Sequence, residues 1–390
     1  MRKEILTARL AEVKENGLYR RLRAVEGAQD AAIVLEGQEV LLFSSNNYLG
    51  LANHPALKQA AQEAIAQYGC GSGASRLISG SMAVHHELEQ RLARLKKTEA
   101  ALVFPTGYHA NIGVLSALMG PGDTILSDSL NHASIIDGCR LSRADTRVYR
   151  HADTEHLGEL LKACPATGQR LIVTDSVFSM DGDLAPLAKI VSLAQQYDAW
   201  VMVDEAHATG VFGPHGSGLV EELGLTGRVD IQMGTLGKAL GCVGAFVAGS
   251  HELTDWLVNR ARSFIYTTAI PPAVAAAVLV ALDIVEQEPE RRRQLWDNTR
   301  VLADGLRSLG YTLGATRSQI LPVIIGEAHE TMVVAAAILQ RGVFAHGIRP
   351  PTVPEGTSRI RVTPMATHTQ DHLARTLDAF AAAGKEVGIR

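Results

Sequence analysis

Residues 200–239 read WVMVDEAHATGVFGPHGSGLVEELGLTGRVDIQMGTLGKA. Two short apolar runs, WVMVD at 200–204 and DIQMG at 230–234, each give way at once to polar residues. The first leads into Asp204-Glu205-Ala206-His207, the second into Thr235-Leu236-Gly237-Lys238. Outward from this stretch the pattern repeats, with ALVF at 101–104, TIL at 124–126, LIVT at 171–174 and GAFVAG at 244–249. Each run is short, rich in aliphatic and β-branched residues, and separated from the next by a segment of helical length. Such alternation predicts an α/β fold built on a mostly parallel sheet covered on both faces.

The flanks add two smaller regions. Residues 2–16 carry helical periodicity that Gly17 breaks, and residues 31–43 alternate around Gly37 as a hairpin would. Helices are expected at 55–67 and 83–97. A long helical stretch runs from Pro272 towards residue 310, followed by strands near 321–325 and 358–363. At 390 residues the chain is too long for one core. We expect an N-terminal arm over 1–45, a large domain over 46–285 and a small C-terminal domain over 286–390.

Bulk properties exclude several classes. The formal charge of −4, without a long run of one sign, argues against a nucleic-acid surface. Cys70, Cys139, Cys164 and Cys242 show no CxxC spacing, so neither a metal site nor a redox dithiol is indicated. Four reduced thiols suit a cytoplasmic protein. The N-terminus lacks the uninterrupted apolar core of a signal peptide. The longest apolar stretch, 269–284, contains Pro271 and Pro272 and falls short of a membrane span.

Open α/β sheets bind ligands beyond the carboxyl ends of their strands. The residues expected there form complementary sets. Lys238, followed by small residues, suits a Schiff base. Asp204, one strand away, can pair with a pyridinium nitrogen and keep such a ring an electron sink. Thr106-Gly107-Tyr108 opens a helix, whose free N–H groups and dipole favour a phosphate. His207 can reach a phenolic oxygen on the ring, and His132, in Asn131-His132-Ala133-Ser134, can stack on it. Two other readings fail. VDEAH at 203–207 resembles a helicase magnesium box, but that needs an upstream GxxxxGK[ST] loop, and the only near match ends at Gly237-Lys238 with Gln232 and Ala239 out of pattern. GCGSGA at 69–74 fits GxGxxA but follows a helical run instead of a strand; its glycines imply close backbone approach or a mobile loop.

Nine motifs together resemble the α-oxoamine synthase family of fold-type I pyridoxal-phosphate enzymes. They are SSNNYLGL (44–51), GSGASR (71–76), FPTGYHAN (104–111), SLNHASI (129–135), SVFSMDGD (176–183), VDEAHATG (203–210), GTLGKA (234–239), IYTTAIPP (265–272) and RIRVTP (359–364). The resemblance covers nearly the whole chain. It implies a large domain with a mostly parallel sheet and a smaller C-terminal α/β domain, with pyridoxal 5'-phosphate as cofactor. Lys238 resembles the Schiff-base lysine, Asp204 the pyridinium partner, and His132 the ring-stacking histidine. His207 and Ser179 resemble the groups around the ring oxygen, and Gly107, Tyr108 and Thr235 the other cofactor anchors. Thr267 and Thr268 would reach the phosphate across a dimer interface, which implies a homodimer with shared active sites. Asn47 and Arg361 match positions that hold the amino-acid carboxylate, and Ser75 and Thr352 join the substrate set.

The family joins glycine, serine or alanine to different acyl-CoAs. The segment GIRPPTVP (347–354), with Arg349, and the early LYRR (18–21) resemble the branch that takes alanine and a pimeloyl thioester. Arg21 is the candidate for meeting the far end of the acyl chain. The branch that joins glycine to an acetyl group is the alternative. Ala208 stands where many members carry a glycine.

Overall fold

The computed structural model describes residues 2–15 and 17–388. Seven strands form the central sheet, in the spatial order Ala100–Phe104, Ala245–Gly249, Ile231–Thr235, Trp200–Asp204, Arg170–Asp175, Thr124–Asp128, Asp145–Tyr149. Only Ala245–Gly249 runs against its neighbours. The connection 236–244 is too short for a crossover helix, so the chain must turn straight back. The edge strand Asp145–Tyr149 escapes the sequence pattern. Its DTRVY sequence is mostly solvent-facing, so it lacks the apolar run that marks the inner strands.

Helices cover both faces. On one, Leu88 and Leu92 of the helix Ala83–Lys96 and Val278 and Leu282 of Pro272–Gln287 pack on Val103, Val201, Val203 and Phe246. On the other, Val114 of Gly107–Leu118, Ile135 of Ala133–Ser142 and Leu257 of His251–Arg260 pack on Ile125, Met202, Met233 and Val247. Inner strands buried on both faces read as continuous apolar runs, which is why the sequence revealed them. The expected long helix after Pro272 is two helices, Pro272–Gln287 and Pro289–Ser308, parted at Glu288. Pro289 has no N–H to continue a helical ladder and so opens the second helix instead.

The hairpin of Ala32–Leu35 and Gln38–Leu42 turns at Glu36-Gly37, where both φ angles are positive, 51° and 81°. That is the geometry of a two-residue hairpin turn. Its second strand pairs in parallel with Val343–Phe344. Leu41 and Phe43 share a buried cluster with Leu302, Tyr311, Val323, Val334, Ile360 and Phe380. The arm thus packs with the C-terminal region, around the antiparallel sheet Leu321–Gly326, Ser358–Val362, His346–Ile348. No described helix is long and apolar enough to cross a membrane. Among the described residues no cluster of metal-ligating side chains is found.

Candidate active site

The parallel strands end at Asp128, Asp175, Asp204 and Thr235, so their following loops meet along one edge of the sheet. A cavity of about 300 Å³ opens there, lined among others by Asn46, His132, Ser179, His207, Lys238 and Arg361. Lys238 sits in the turn between Ile231–Thr235 and Ala245–Gly249, pinned by the bonds Leu236 N–H to Gly244 O and Gly241 N–H to Lys238 O, each 2.9 Å. Burial pulls its ammonium down to about 8, against the opposing charges of Asp204 and Asp175 and with help from Arg361. The amine is thereby brought within reach of neutrality.

Asp204 is buried, with Oδ2 accepting from Asn111 Nδ2 and Oδ1 from the Ala206 N–H, both at 2.9 Å. Asp175 is its register partner on the next strand. Burial and the charge of Asp204 hold the Asp175 carboxyl well above the usual carboxylate range, although the His132 N–H donates to it at 2.8 Å. Two carboxyl groups side by side in a buried site favour a cationic partner over Asp204.

His132 caps the helix Ala133–Ser142, and its Nδ1 lies 2.7 Å from Ser134 Oγ. Burial lowers its pKa, Asp204 opposing and Lys238 assisting, so the ring presents a neutral face. His207 lies 2.7 Å from the Tyr48 hydroxyl through Nδ1, and its carbonyl accepts from Gln319 Nε2 at 2.9 Å. Burial, then Lys238 and Arg361, hold it well below the ordinary histidine value. Arg361 is buried, donates Nε to the Ser179 carbonyl at 2.6 Å, and directs both Nη groups to Asn46 Oδ1 at 3.2–3.3 Å.

Thr106 caps the helix Gly107–Leu118 by accepting from the His109 N–H, leaving the Gly107 and Tyr108 N–H groups without intrahelical acceptors. A Cβ at Gly107 would stand 2.9 Å from Thr235 Cγ2, so glycine is what lets this helix start close against Thr235. The Tyr108 hydroxyl donates to Asp137 at 2.6 Å.

Other expected residues lie elsewhere. Asn46, not Asn47, enters the cavity; the Asn47 side chain instead accepts from the Ala52 N–H at 3.1 Å, because the tight turn 46–50 sends successive side chains apart. Thr267 and Thr268 line a small separate pocket with Arg76 and Pro105, and Ser75 bridges Thr268 there. Arg21, Arg349 and Thr352 line a second cavity of about 450 Å³, with Arg20 and Arg23. It shares His346 and Ile348 with the Lys238 cavity. Arg21 is tied to Glu36 by two 2.8 Å contacts. The glycines of the rejected GxGxxA match meet no close neighbour: a Cβ at Gly69, Gly71 or Gly73 would find nothing within 4 Å, and Gly69 and Gly73 instead serve positive φ angles of 81° and 74°. Glu205 of the rejected magnesium box faces away from the site and pairs with Lys96, both side chains fully buried. Asn46, Tyr48 and Asn111 were missed as individuals, although each stands inside a quoted motif.

A family profile described as aminotransferase class I and II matches residues 38–380. The chain belongs to this family. Among aminotransferase class I and II relatives, an 8-amino-7-oxononanoate synthase from Geobacter sulfurreducens is 52% identical over 386 residues, 98% of this chain and 99% of that one. A serine palmitoyltransferase from S. paucimobilis, solved with pyridoxal phosphate and myriocin bound, superposes with a TM-score of 0.94 at 34% identity, covering 99% and 98% of the two chains. An 8-amino-7-oxononanoate synthase from Francisella tularensis superposes at 0.76 with 27% identity over 89% of this chain and 98% of its own. The fold is that of fold-type I pyridoxal-phosphate enzymes. The site fits that cofactor on its own geometry, with the lowered amine of Lys238, the buried carboxylate of Asp204 at the end of the adjacent strand, and a helix start at Gly107 whose free N–H groups suit a phosphate.

Proposed function

We propose that this chain joins L-alanine to a pimeloyl thioester, releasing the thiol and CO2 and forming 8-amino-7-oxononanoate, the step named for its relatives. Bound pyridoxal phosphate supplies the electron sink for the alanine α-carbon. Lys238 anchors the cofactor and, once freed, takes the α-proton on Nζ, since its lowered pKa keeps a usable share of neutral amine. Asp204 offers its carboxylate to the ring nitrogen, with Asn111 and the Ala206 N–H fixing its plane. Neutral His132 would offer its face to the ring. His207, oriented by Tyr48, and Ser179 would hold the ring oxygen. Gly107, Tyr108 and Thr235 would hold the phosphate. Arg361 and Asn46 receive the alanine carboxylate.

The observation that favours pimelate over other acyl groups is the second cavity. A pimeloyl chain ends in a carboxylate, and this cavity, which adjoins the first at His346 and Ile348, is lined by Arg20, Arg21, Arg23 and Arg349. An acetyl group would not reach it, and an apolar acyl tail would meet guanidinium groups without compensation. Because Arg21 is already held by Glu36, we assign the terminal carboxylate to the arginine group as a whole. We further propose a cytoplasmic homodimer with shared sites. Thr267 and Thr268 lie outside the Lys238 cavity, and nearby Tyr266 and Ile78 are 71% and 80% exposed, a face that a second copy would cover.

The test is thiol release and product mass with alanine, glycine and serine, each against pimeloyl-, acetyl- and palmitoyl-CoA. Alanine with pimeloyl-CoA should be preferred. Preference for glycine with acetyl-CoA would move the assignment to the glycine acetyltransferase branch.

A further inference from the structure

Outside the residues assigned so far, His151 sits between two carboxylates. Its Nδ1 is 2.9 Å from Asp128 Oδ1 and its Nε2 is 2.7 Å from Asp183 Oδ2. A carboxylate only accepts, and a neutral imidazole carries a single N–H. Both contacts together therefore require the doubly protonated, cationic ring. The ring edge also rests on the face of Phe178, with centroids 4.4 Å apart at 89°.

Each carboxylate anchors one end of a loop that reaches the active site. Asp128 ends the strand Thr124–Asp128, and its two oxygens also accept the N–H groups of Leu130 and Ala152, at 2.9 and 2.8 Å. It thus starts the loop that delivers His132. Asp183 closes the loop that begins at Phe178, whose N–H bonds the Asp183 carbonyl at 3.1 Å. That loop carries Ser179. The other oxygen of Asp183 is buried without a hydrogen-bond partner, so His151 is the contact that compensates this carboxylate.

We propose that His151 is a positioning residue, a charged clamp between Asp128 and Asp183 that sets the spacing of the His132 and Ser179 loops on either side of the catalytic cavity. The proposal rests on the reading of that cavity as the active site. Burial alone would lower the His151 pKa, but the hydrogen bonds and charges of Asp128 and Asp183 outweigh it and raise it to about 10. The remaining charges nearby are accounted for. Arg150 is paired with Asp153, Asp181 with Arg359, and Asp175 lies beyond Asp128 at the His132 N–H.

The first readout needs neither cofactor nor substrate. In apoprotein labelled with ¹⁵N-histidine, the resonances removed by His151→Gln should show both ring nitrogens protonated at pH 8. A neutral ring there overturns the proposal. The second uses the loaded enzyme. His151→Gln should lower kcat about 10- to 100-fold, the scale of a sub-ångström to ångström misplacement, with KM little changed, and should alter the induced circular dichroism of the bound cofactor. His151→Lys, whose ammonium can donate to both carboxylates, should recover much of kcat and the dichroism. Full activity in His151→Gln, or equal loss in both variants, overturns the clamp. If no substrate pair is turned over even by the parent enzyme, the functional assignment fails, while the ring protonation and the cofactor dichroism still decide the fate of the clamp.

Discussion

Lys238 offers the sharpest test of the site. Its ammonium is lowered to about 8 because burial outweighs the attraction of Asp204 and Asp175. An ordinary lysine, with a pKa of about 10.4, has about one neutral amine in 2,500 at pH 7. At about 8, Lys238 has about one in ten, an enrichment of roughly 250-fold. Trace acetylation of the apoprotein across pH 6.5–10, read by peptide mass spectrometry against a free lysine amide in the same tube, should give a midpoint for Lys238 about two units below the free amine. Arg361→Gln should raise that midpoint, since Arg361 lowers it, and Asp204→Asn should lower it further. The linkage has a definite sign. Between about 8 and about 10.4 the unfolded chain holds more protons at this lysine than the folded one, so apoprotein stability should climb with pH through that window. Lys238→Met should abolish the climb and, below pH 8, stabilise the apoprotein by at most about 3 kcal/mol. A labelling midpoint near that of the free amine, with a flat stability profile, would refute the reasoning.

Two further outcomes follow from geometry. Lys96→Met removes the partner of fully buried Glu205 and should cost about 3–5 kcal/mol in denaturant unfolding, partly recovered when Glu205→Gln is added; a cost below about 1 kcal/mol would place the pair among the energetically idle ones. Heterodimers of a Lys238→Ala chain and a Thr267→Ala/Thr268→Ala chain, purified through two tags, should regain turnover by restoring one intact site. Absence of any recovery would count against shared sites.

The sequence exposes the inner strands and the residues at their carboxyl ends because burial on both faces leaves an uninterrupted apolar run that stops abruptly at Asp175, Asp204 or Thr235. It conceals Asp145–Tyr149, whose outer side meets water, and Val343–Phe344, whose two residues are too short to show a period. Within the site, charge and chemistry picked out Lys238, Asp204 and His207. Which of two adjacent asparagines faces the cavity depends on the turn at 46–50, which no periodicity reports. Tyr48 acts on His207 across 159 positions of chain, and His151 meets Asp183 across 32, so both are visible only once the loops are assembled.

The pairing of Gln38–Leu42 with Val343–Phe344 joins the first and last thirds of the chain in one small sheet. A ribosome making this protein releases the hairpin long before the strand that completes it. For most of synthesis the hairpin's inner edge therefore offers bare N–H and C=O groups to any passing strand, while Leu41 and Phe43 await their cluster. The seven-stranded sheet can close in the meantime, because its strands all lie between residues 100 and 249. The arm is thus made well before the strand that completes it, and until residue 344 emerges its open edge is exposed to the mispairing that chaperones suppress.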